Sequence, residues 1–134
     1  DLSPGFVTTV VYADLDGLKH VNDTIGHAAG DDMLREVARR LTASTRDGDI
    51  VARVGGDEFL VITTTSATGQ DPASAVITRL RSELSGPVAA GREIINLSVS
   101  LGAAILDGSR DMAAAVAHAD EAMYVDKRRR RSAD

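Results

Sequence analysis

Two acids that directly follow two glycines are the residues of this sequence best suited to chemistry. Gly55-Gly56-Asp57-Glu58 lies between β-branched and apolar residues on both sides, a pattern typical of two strands joined by a tight turn. Two glycines leave the backbone at the tip open to the close approach of a ligand. The pattern therefore predicts a hairpin that presents two carboxylates to a ligand. The alternative is a surface turn with a solvated pair of acids.

Another acid, Asp14, follows an uncharged run rich in valine and threonine at residues 6–13. Such a run predicts a central strand covered on both faces, and ligand sites in open sheets lie at strand ends. If this strand neighbours the hairpin, three or four carboxylates converge and repel one another. A Mg²⁺ ion would relieve the repulsion because it binds carboxylate and carbonyl oxygens and keeps positions for phosphate, as in nucleotidyl transfer. The alternative for Asp14 is a cap of the following helix.

The spacing of apolar residues predicts the helices and strands that would position these acids. Residues 18–22 predict a short helix that Gly26 closes, and an apolar stripe predicts an amphipathic helix over 27–41. The remaining predicted elements are hairpin strands at 50–53 and 59–64, a polar loop at 65–72, a helix at 73–84, a strand through 95–101 and a helix from 112 into the basic tail. This order predicts an α+β domain, α/β in the broad sense, with helices packed on a mixed sheet.

Composition restricts the class of protein. The 134 residues suffice for one domain with a core, and 43% hydrophobic and 26% charged residues are ordinary for a globular protein. The absence of cysteine excludes disulfides and zinc–thiolate sites and suits a reducing cytoplasm. The net charge is −5 although residues 127–131 are all basic, which argues against a general nucleic-acid-binding protein. Acidic residues together with a short basic run favour a divalent cation site with phosphate-binding cations nearby.

Five segments, in this order along the chain, resemble the GGDEF domain of the diguanylate cyclase family over essentially the whole length. They are residues 14–23 (DLDGLKHVND), 26–31 (GHAAGD), 53–59 (RVGGDEF), 98–102 (SVSLG) and 119–127 (ADEAMYVDK). The resemblance implies a five-stranded central sheet wrapped by helices, similar to polymerase palms and class III nucleotidyl cyclases. It also implies that residues 1–134 are one GGDEF domain, cut from a longer multidomain protein and lacking the family's most N-terminal helix.

The resemblance implies that Asp14, Asp57 and Glu58 are the catalytic residues. Asp14 and Asp57 would bind Mg²⁺ or Mn²⁺ with the help of the Leu15 carbonyl. Glu58 would act at the second metal or help to activate the 3′-hydroxyl of GTP.

The resemblance also implies that Asn22 and Asp31 recognise guanine. An amide can donate to O6, and a carboxylate accepts from the N1 and N2 hydrogens, which adenine lacks. ATP should therefore be rejected. A helix C-cap at Asn22 and a helix-dipole partner at Asp31 are structural roles that are compatible with this one.

The implied phosphate-binding residues are Lys19, Lys127, Arg131 and, through their backbone, Gly55 and Gly56. A solvated charged tail is the alternative for residues 127–131, and it is the preferred interpretation for Arg128 and Arg129. One departure from the family pattern is Arg130, where the family usually has glycine. If a turn is needed there, Arg131 would not reach the phosphate.

Residues 46–49 (RDGD) match the family's inhibitory RxxD motif, shortly before the hairpin. The match implies that Arg46 and Asp49 bind guanines and phosphates of the product, with a further contact from Arg79. The alternative is an exposed ion pair between Arg46 and Asp49.

The implied function is that of a diguanylate cyclase domain, which condenses two GTP into cyclic di-GMP and releases pyrophosphate. Each domain would hold one GTP, so a homodimer is needed, and an isolated domain should be slow. The implied partners are GTP, cyclic di-GMP and an upstream sensory domain but not nucleic acid, in the cytoplasm, with or without a membrane tether on the full-length protein. The alternatives are a catalytically silent GGDEF module that binds GTP or cyclic di-GMP, and a dimerisation module.

Overall fold

The computed structural model describes residues 5–67 and 71–132. Residues 68–70 of the predicted polar loop lie outside the described residues. In chain order the elements are β1 (Phe6–Leu15), α1 (Leu18–Thr24), α2 (His27–Ala43), β2 (Ile50–Arg53), β3 (Glu58–Ser66), α3 (Pro72–Glu83), β4 (Gly86–Ala90), β5 (Glu93–Leu97), β6 (Val99–Leu106) and α4 (Met112–Ser132). The α+β class is confirmed.

Strand β1 is the centre of the main sheet, whose order is β2-β3-β1-β6. It pairs antiparallel with β3 on one side and β6 on the other. Val10 and Val11 point to opposite faces and are both fully buried. The prediction of a central strand covered on both faces is therefore confirmed.

The expected central sheet of five strands with mixed pairing is wrong in both the number of strands and their direction. In the described part of the chain the main sheet has four strands, all its pairs are antiparallel, and β4 and β5 form a separate hairpin. The strand predicted through 95–101 is interrupted at Ser98, whose carbonyl accepts the backbone N–H of Asp16 at 2.9 Å. This bond turns the chain from one sheet into the other, so residues on its two sides belong to different sheets.

Helices cover the two faces of the sheet. Helices α2 and α3 contribute Met33, Val37 and Leu80 to the larger core, whereas α4 covers the opposite face with Ala115 and Ala119. No helix among the residues described has both the length and the apolar character needed to cross a membrane.

Gly102 on β6 lets α4 approach the sheet closely. A Cβ atom at this position would overlap the backbone nitrogen of Met123 and the backbone carbonyl oxygen of Ala119. The backbone of α4 therefore lies directly on β6. This close packing sets the distance between the last turns of α4 and the end of β1.

Candidate active site

Three carboxylates converge where β1 meets the hairpin. Asp14 lies directly opposite Glu58 in the β1–β3 pairing, and the backbone N–H of Leu15 donates to the Asp57 carbonyl at 2.8 Å. One carboxylate oxygen from each of Asp14, Asp57 and Glu58 lies within 4.8 Å of the other two. The structure thus brings together the three acids that the sequence singles out.

Asp14 is buried, with only 4% of its surface exposed. Lys127 Nζ donates to its Oδ2 at 2.6 Å, while its Oδ1 is buried and has no hydrogen-bond partner in the part of the chain that the structure describes. Burial raises the pKa of Asp14 to about 6, with a contribution from the nearby Asp57, and the Lys127 hydrogen bond opposes the rise. The N-cap of α1 is Gly17, so Asp14 does not cap this helix as the alternative supposed.

A divalent cation fits this donor set. Among the described residues the buried Asp14 Oδ1 has no donor, and one carboxylate oxygen of Asp14 lies close to oxygens of Asp57 and Glu58. A hard cation bound between the three acids could therefore coordinate the Asp14 carboxylate and offset the repulsion between the acids. Asp16 differs from Asp14 because both of its carboxylate oxygens already accept hydrogen bonds, from Ser98 and Ser100.

The two glycines of the hairpin tip serve different purposes. A Cβ atom at Gly55 would lie 2.5 Å from Glu58 Oε1, so this glycine makes room for the Glu58 side chain. At Gly56 a Cβ atom would meet nothing within 4 Å. Only Gly56 therefore leaves open space beside the acids.

Tyr12 and Arg53, which are not among the predicted site residues, hold the hairpin in shape. Tyr12 donates its hydroxyl to Glu58 Oε1 at 3.3 Å, and Arg53 donates to the carbonyls of Gly55 and Gly56 at 3.2 and 2.7 Å. Tyr12 is two residues before Asp14 and so shares its face of β1, a spacing that could have identified it. Burial raises the pKa of Tyr12, and Glu58 adds to the rise, so the phenol stays a donor.

A cavity of about 700 Å³ opens beside the acids, within the range of about 300–1,000 Å³ typical of small-molecule sites. The cavity is lined by Leu15, Asp16, Gly17, Leu18, Lys19, Asp57, Ser98, Lys127, Arg130 and Arg131. All three predicted phosphate-binding cations are among these residues. Helix α4 continues through Ser132, so residue 130 forms no turn and Arg131 still reaches the cavity.

The two guanine candidates do not line this cavity. Asp31 lines a separate cavity of about 370 Å³ together with Arg53 and Phe59 of the hairpin strands. Gly30, next to Asp31, makes room for Asn22, because a Cβ atom there would overlap Asn22 Oδ1.

The helix C-cap expected at Asn22 and the helix-dipole partner expected at Asp31 are both wrong. The C-cap of α1 is Ile25 rather than Asn22. The helix dipole acts most strongly on groups in the first turn of a helix, and Asp31 lies beyond the first turn of α2. Neither residue is therefore explained by the end of a helix.

The RxxD segment forms the connection between α2 and β2. Asp49 Oδ2 accepts the backbone N–H of Arg46 at 3.0 Å and the Thr63 hydroxyl at 2.9 Å, and the Arg46 guanidinium donates to the Thr64 carbonyl. Across the described residues Arg46 and Asp49 form no ion pair, so that alternative is wrong. Arg79 on α3 has its Nε and Nη2 buried with no acceptor among the described residues.

A family model described as "Diguanylate cyclase, GGDEF domain" matches residues 3–133. The chain belongs to this family. It is 39% identical over 128 residues to diguanylate cyclase DosC from Escherichia coli K12, covering 96% of this chain and 28% of DosC. The GGDEF domain thus spans less than a third of that relative.

Solved GGDEF structures share the fold. A sensory box/GGDEF family protein from Caulobacter crescentus is 38% identical with a TM-score of 0.80, covering 92% of this chain and 80% of that one. The GGDEF domain of DgcB from C. crescentus, solved in complex with c-di-GMP, is 29% identical with a TM-score of 0.76, covering 92% and 74%.

Proposed function

We propose that this GGDEF domain is a diguanylate cyclase that condenses two GTP into cyclic di-GMP and releases pyrophosphate. The observation that carries the proposal is the cluster of Asp14, Asp57 and Glu58, in which Asp14 Oδ1 is buried with no donor among the described residues and Asp57 lines the cavity that holds the cations. Acids that can hold a metal, next to cations that can hold phosphates, are what nucleotidyl transfer requires.

Asp14, Asp57 and Glu58, with the carbonyl of Leu15, would hold Mg²⁺ or Mn²⁺. A metal bound there would neutralise phosphate charge and act as a Lewis acid on a phosphate oxygen. In this proposal Lys19, Lys127 and Arg131 bind the β- and γ-phosphates.

Two bonds form, each between the 3′-oxygen of one GTP and the α-phosphorus of the other. At each α-phosphorus the bond to the β-phosphate oxygen breaks, so two pyrophosphates leave. Glu58 would help to remove the proton of the 3′-hydroxyl. Most of the catalysis would come from positioning and charge neutralisation. Because each domain holds one GTP, catalysis requires two domains that face each other. A sensory domain elsewhere in the protein would control this pairing in the cytoplasm, where GTP is available.

Asn22 and Asp31 are proposed to select guanine. If Asp31 accepts the N1 and N2 hydrogens, ATP leaves a carboxylate unpaired and should bind at least about tenfold more weakly. Calorimetric titration of both nucleotides with Ca²⁺, which should permit binding without reaction, measures this difference. Equal affinities would refute the guanine site.

Arg46, Asp49 and Arg79 are proposed to bind cyclic di-GMP and to slow the enzyme. Arg46 offers donors to guanine or phosphate, and the buried Nε and Nη2 of Arg79 lack an acceptor among the described residues. Titration of cyclic di-GMP into the wild type and Arg46→Ala tests the site. Loss of product binding with retention of GTP binding supports it, and equal product binding by both proteins contradicts it.

Product analysis tests the activity itself. The domain, fused to a dimeric coiled coil and incubated with GTP and Mg²⁺, should form cyclic di-GMP and pyrophosphate. Asp57→Asn should abolish the reaction, whereas Glu93→Gln, an exposed change in the β4–β5 hairpin, should not. GTP binding without any product would instead identify a regulatory module, and a wild-type rate in Asp57→Asn would refute the assigned site.

A further inference from the structure

Arg130, in the last turns of α4, is held by two distant segments at the edge of the 700 Å³ cavity. Its Nε lies 3.3 Å from Asp16 Oδ2, and its Nη2 donates to Ser98 Oγ. Asp16 follows β1, and Ser98 is the junction between β5 and β6. The guanidinium therefore connects the end of α4 to both of these segments.

The acceptors of Arg130 are themselves fixed. Ser98 Oγ donates to Asp16 Oδ2 at 2.9 Å, and Ser100 Oγ donates to Asp16 Oδ1 at 2.8 Å. The Asp16 backbone N–H is bound to the Ser98 carbonyl at 2.9 Å. With both carboxylate oxygens of Asp16 engaged, this residue acts as a rigid support for the guanidinium.

The other side of the guanidinium remains available to a ligand. Its five N–H donors lie in one plane, so fixing Nε and Nη2 also fixes the direction of Nη1. Among residues 5–67 and 71–132, no group accepts a hydrogen bond from Nη1, and the Arg130 side chain is 34% exposed. Lys127 and Lys19, in the same cavity, contact Asp14 and Asp23 through their single charged nitrogens.

We propose that Arg130 is a substrate-binding residue that donates from Nη1 to the polyphosphate of the bound nucleotide, while Asp16 and Ser98 hold its other edge. The inference rests on the proposed function for the identity of the nucleotide, although the chemistry is that of any polyphosphate. A fixed guanidinium suits phosphate because it donates hydrogen bonds and charge together.

Calorimetric titration of inorganic tripolyphosphate, and of GTP with Ca²⁺, tests the proposal. Arg130→Gln should weaken both affinities about tenfold, as expected for the loss of a charged hydrogen bond. Arg129→Gln is the matched control. It removes the same charge from the neighbouring residue, whose side chain lines a different cavity. Equal affinities for the two variants would overturn the proposal.

Asp16→Asn separates the fixed guanidinium from a general effect of charge. Removing a negative charge should by itself strengthen anion binding, whereas releasing Arg130 from its support should weaken it. If Asp16→Asn binds tripolyphosphate more weakly, with an unchanged thermal unfolding midpoint, Asp16 holds Arg130 in place as proposed. Stronger binding by Asp16→Asn contradicts this role.

The same data distinguish this proposal from the cyclase assignment. One outcome is that Arg130→Gln loses tripolyphosphate binding, Arg129→Gln keeps it, and the wild type makes no cyclic di-GMP. Arg130 then keeps its phosphate-binding role and the cyclase assignment fails. If Arg130→Gln makes product with wild-type kcat and KM, the Arg130 proposal alone fails. If the wild type binds neither tripolyphosphate nor GTP, both fail.

Discussion

Asp14 and its immediate neighbours dominate the site at the scale of single residues. One of its oxygens contacts Lys127, and the other, although buried, has no donor within residues 5–67 and 71–132. A carboxylate in this state is costly unless something else supplies positive charge. Lys127 supplies part of it and at the same time lines the 700 Å³ cavity, so the acids and the cavity share one cation.

Tyr12 is expected to position Glu58 without touching the substrate. Tyr12→Phe removes only the hydroxyl, so kcat should fall about three- to tenfold, on the scale of one hydrogen bond. The KM for GTP and the thermal unfolding midpoint should stay unchanged. Steady-state kinetics and thermal denaturation measure these quantities, and Tyr124→Phe, at a 58% exposed position, is the control. An unaltered kcat in Tyr12→Phe would show that Glu58 needs no such support.

The three acids of the site could be predicted because their sequence context is unusual: two sit behind paired glycines and one ends an uncharged strand. The partners of Tyr12 and Arg130 could not be predicted, because the sequence near a polar residue does not show which distant residue it will contact. Tyr12 and Glu58 are 46 residues apart, and Arg130 and Asp16 are 114 apart. Only the pairing of strands and the docking of α4 create these contacts.

Helix α4 is the element on which the cavity depends most, since it carries Lys127, Arg130 and Arg131. Asp126 anchors it by accepting the backbone N–H of Leu101 at 2.9 Å and pairing with Arg81 at 3.0 Å. Together with the close approach at Gly102, this anchor sets the position from which the neighbouring Lys127 reaches Asp14.

Gly102→Ala should destabilise the domain by about 3 kcal/mol or more, because the new methyl group would collide with the backbone of α4 rather than with a movable side chain. Denaturant unfolding followed by circular dichroism measures the loss. Gly108→Ala is the control, since a Cβ atom there meets nothing within 4 Å and should change the stability by less than about 0.5 kcal/mol. Similar stabilities for the two variants would contradict the close packing of α4.

The types and order of most elements could be predicted from apolar spacing, but the division of strands between sheets could not. The alternation of residues 95–101 is nearly continuous, and nothing in it marks Ser98 as a boundary. The boundary arises from hydrogen bonds between Ser98 and Asp16, 82 residues away.

For the whole molecule, the proposed chemistry requires two domains that face each other. The isolated domain should therefore turn over slowly, with a rate that rises more than linearly with protein concentration. Fusion to a dimeric coiled coil should accelerate it in at least one linker register, with an Asp57→Asn fusion as the control. Activity assays over a range of concentrations, with sedimentation to measure association, test this. A rate strictly proportional to concentration, unaffected by fusion in every register, would contradict the two-domain mechanism.

Manganese binding followed by electron paramagnetic resonance is the most direct test of the proposed metal site at Asp14, Asp57 and Glu58. The free Mn²⁺ signal would be recorded during titration of metal-free wild type, Asp14→Asn, Asp57→Asn and Glu93→Gln, without nucleotide, so that only protein ligands contribute. The wild type and Glu93→Gln should bind Mn²⁺ with the same affinity. Both site variants should bind at least about tenfold more weakly, because each loses a charged ligand. Equal Mn²⁺ affinities in the wild type and Asp14→Asn would contradict the assignment of the buried Asp14 carboxylate as a metal ligand.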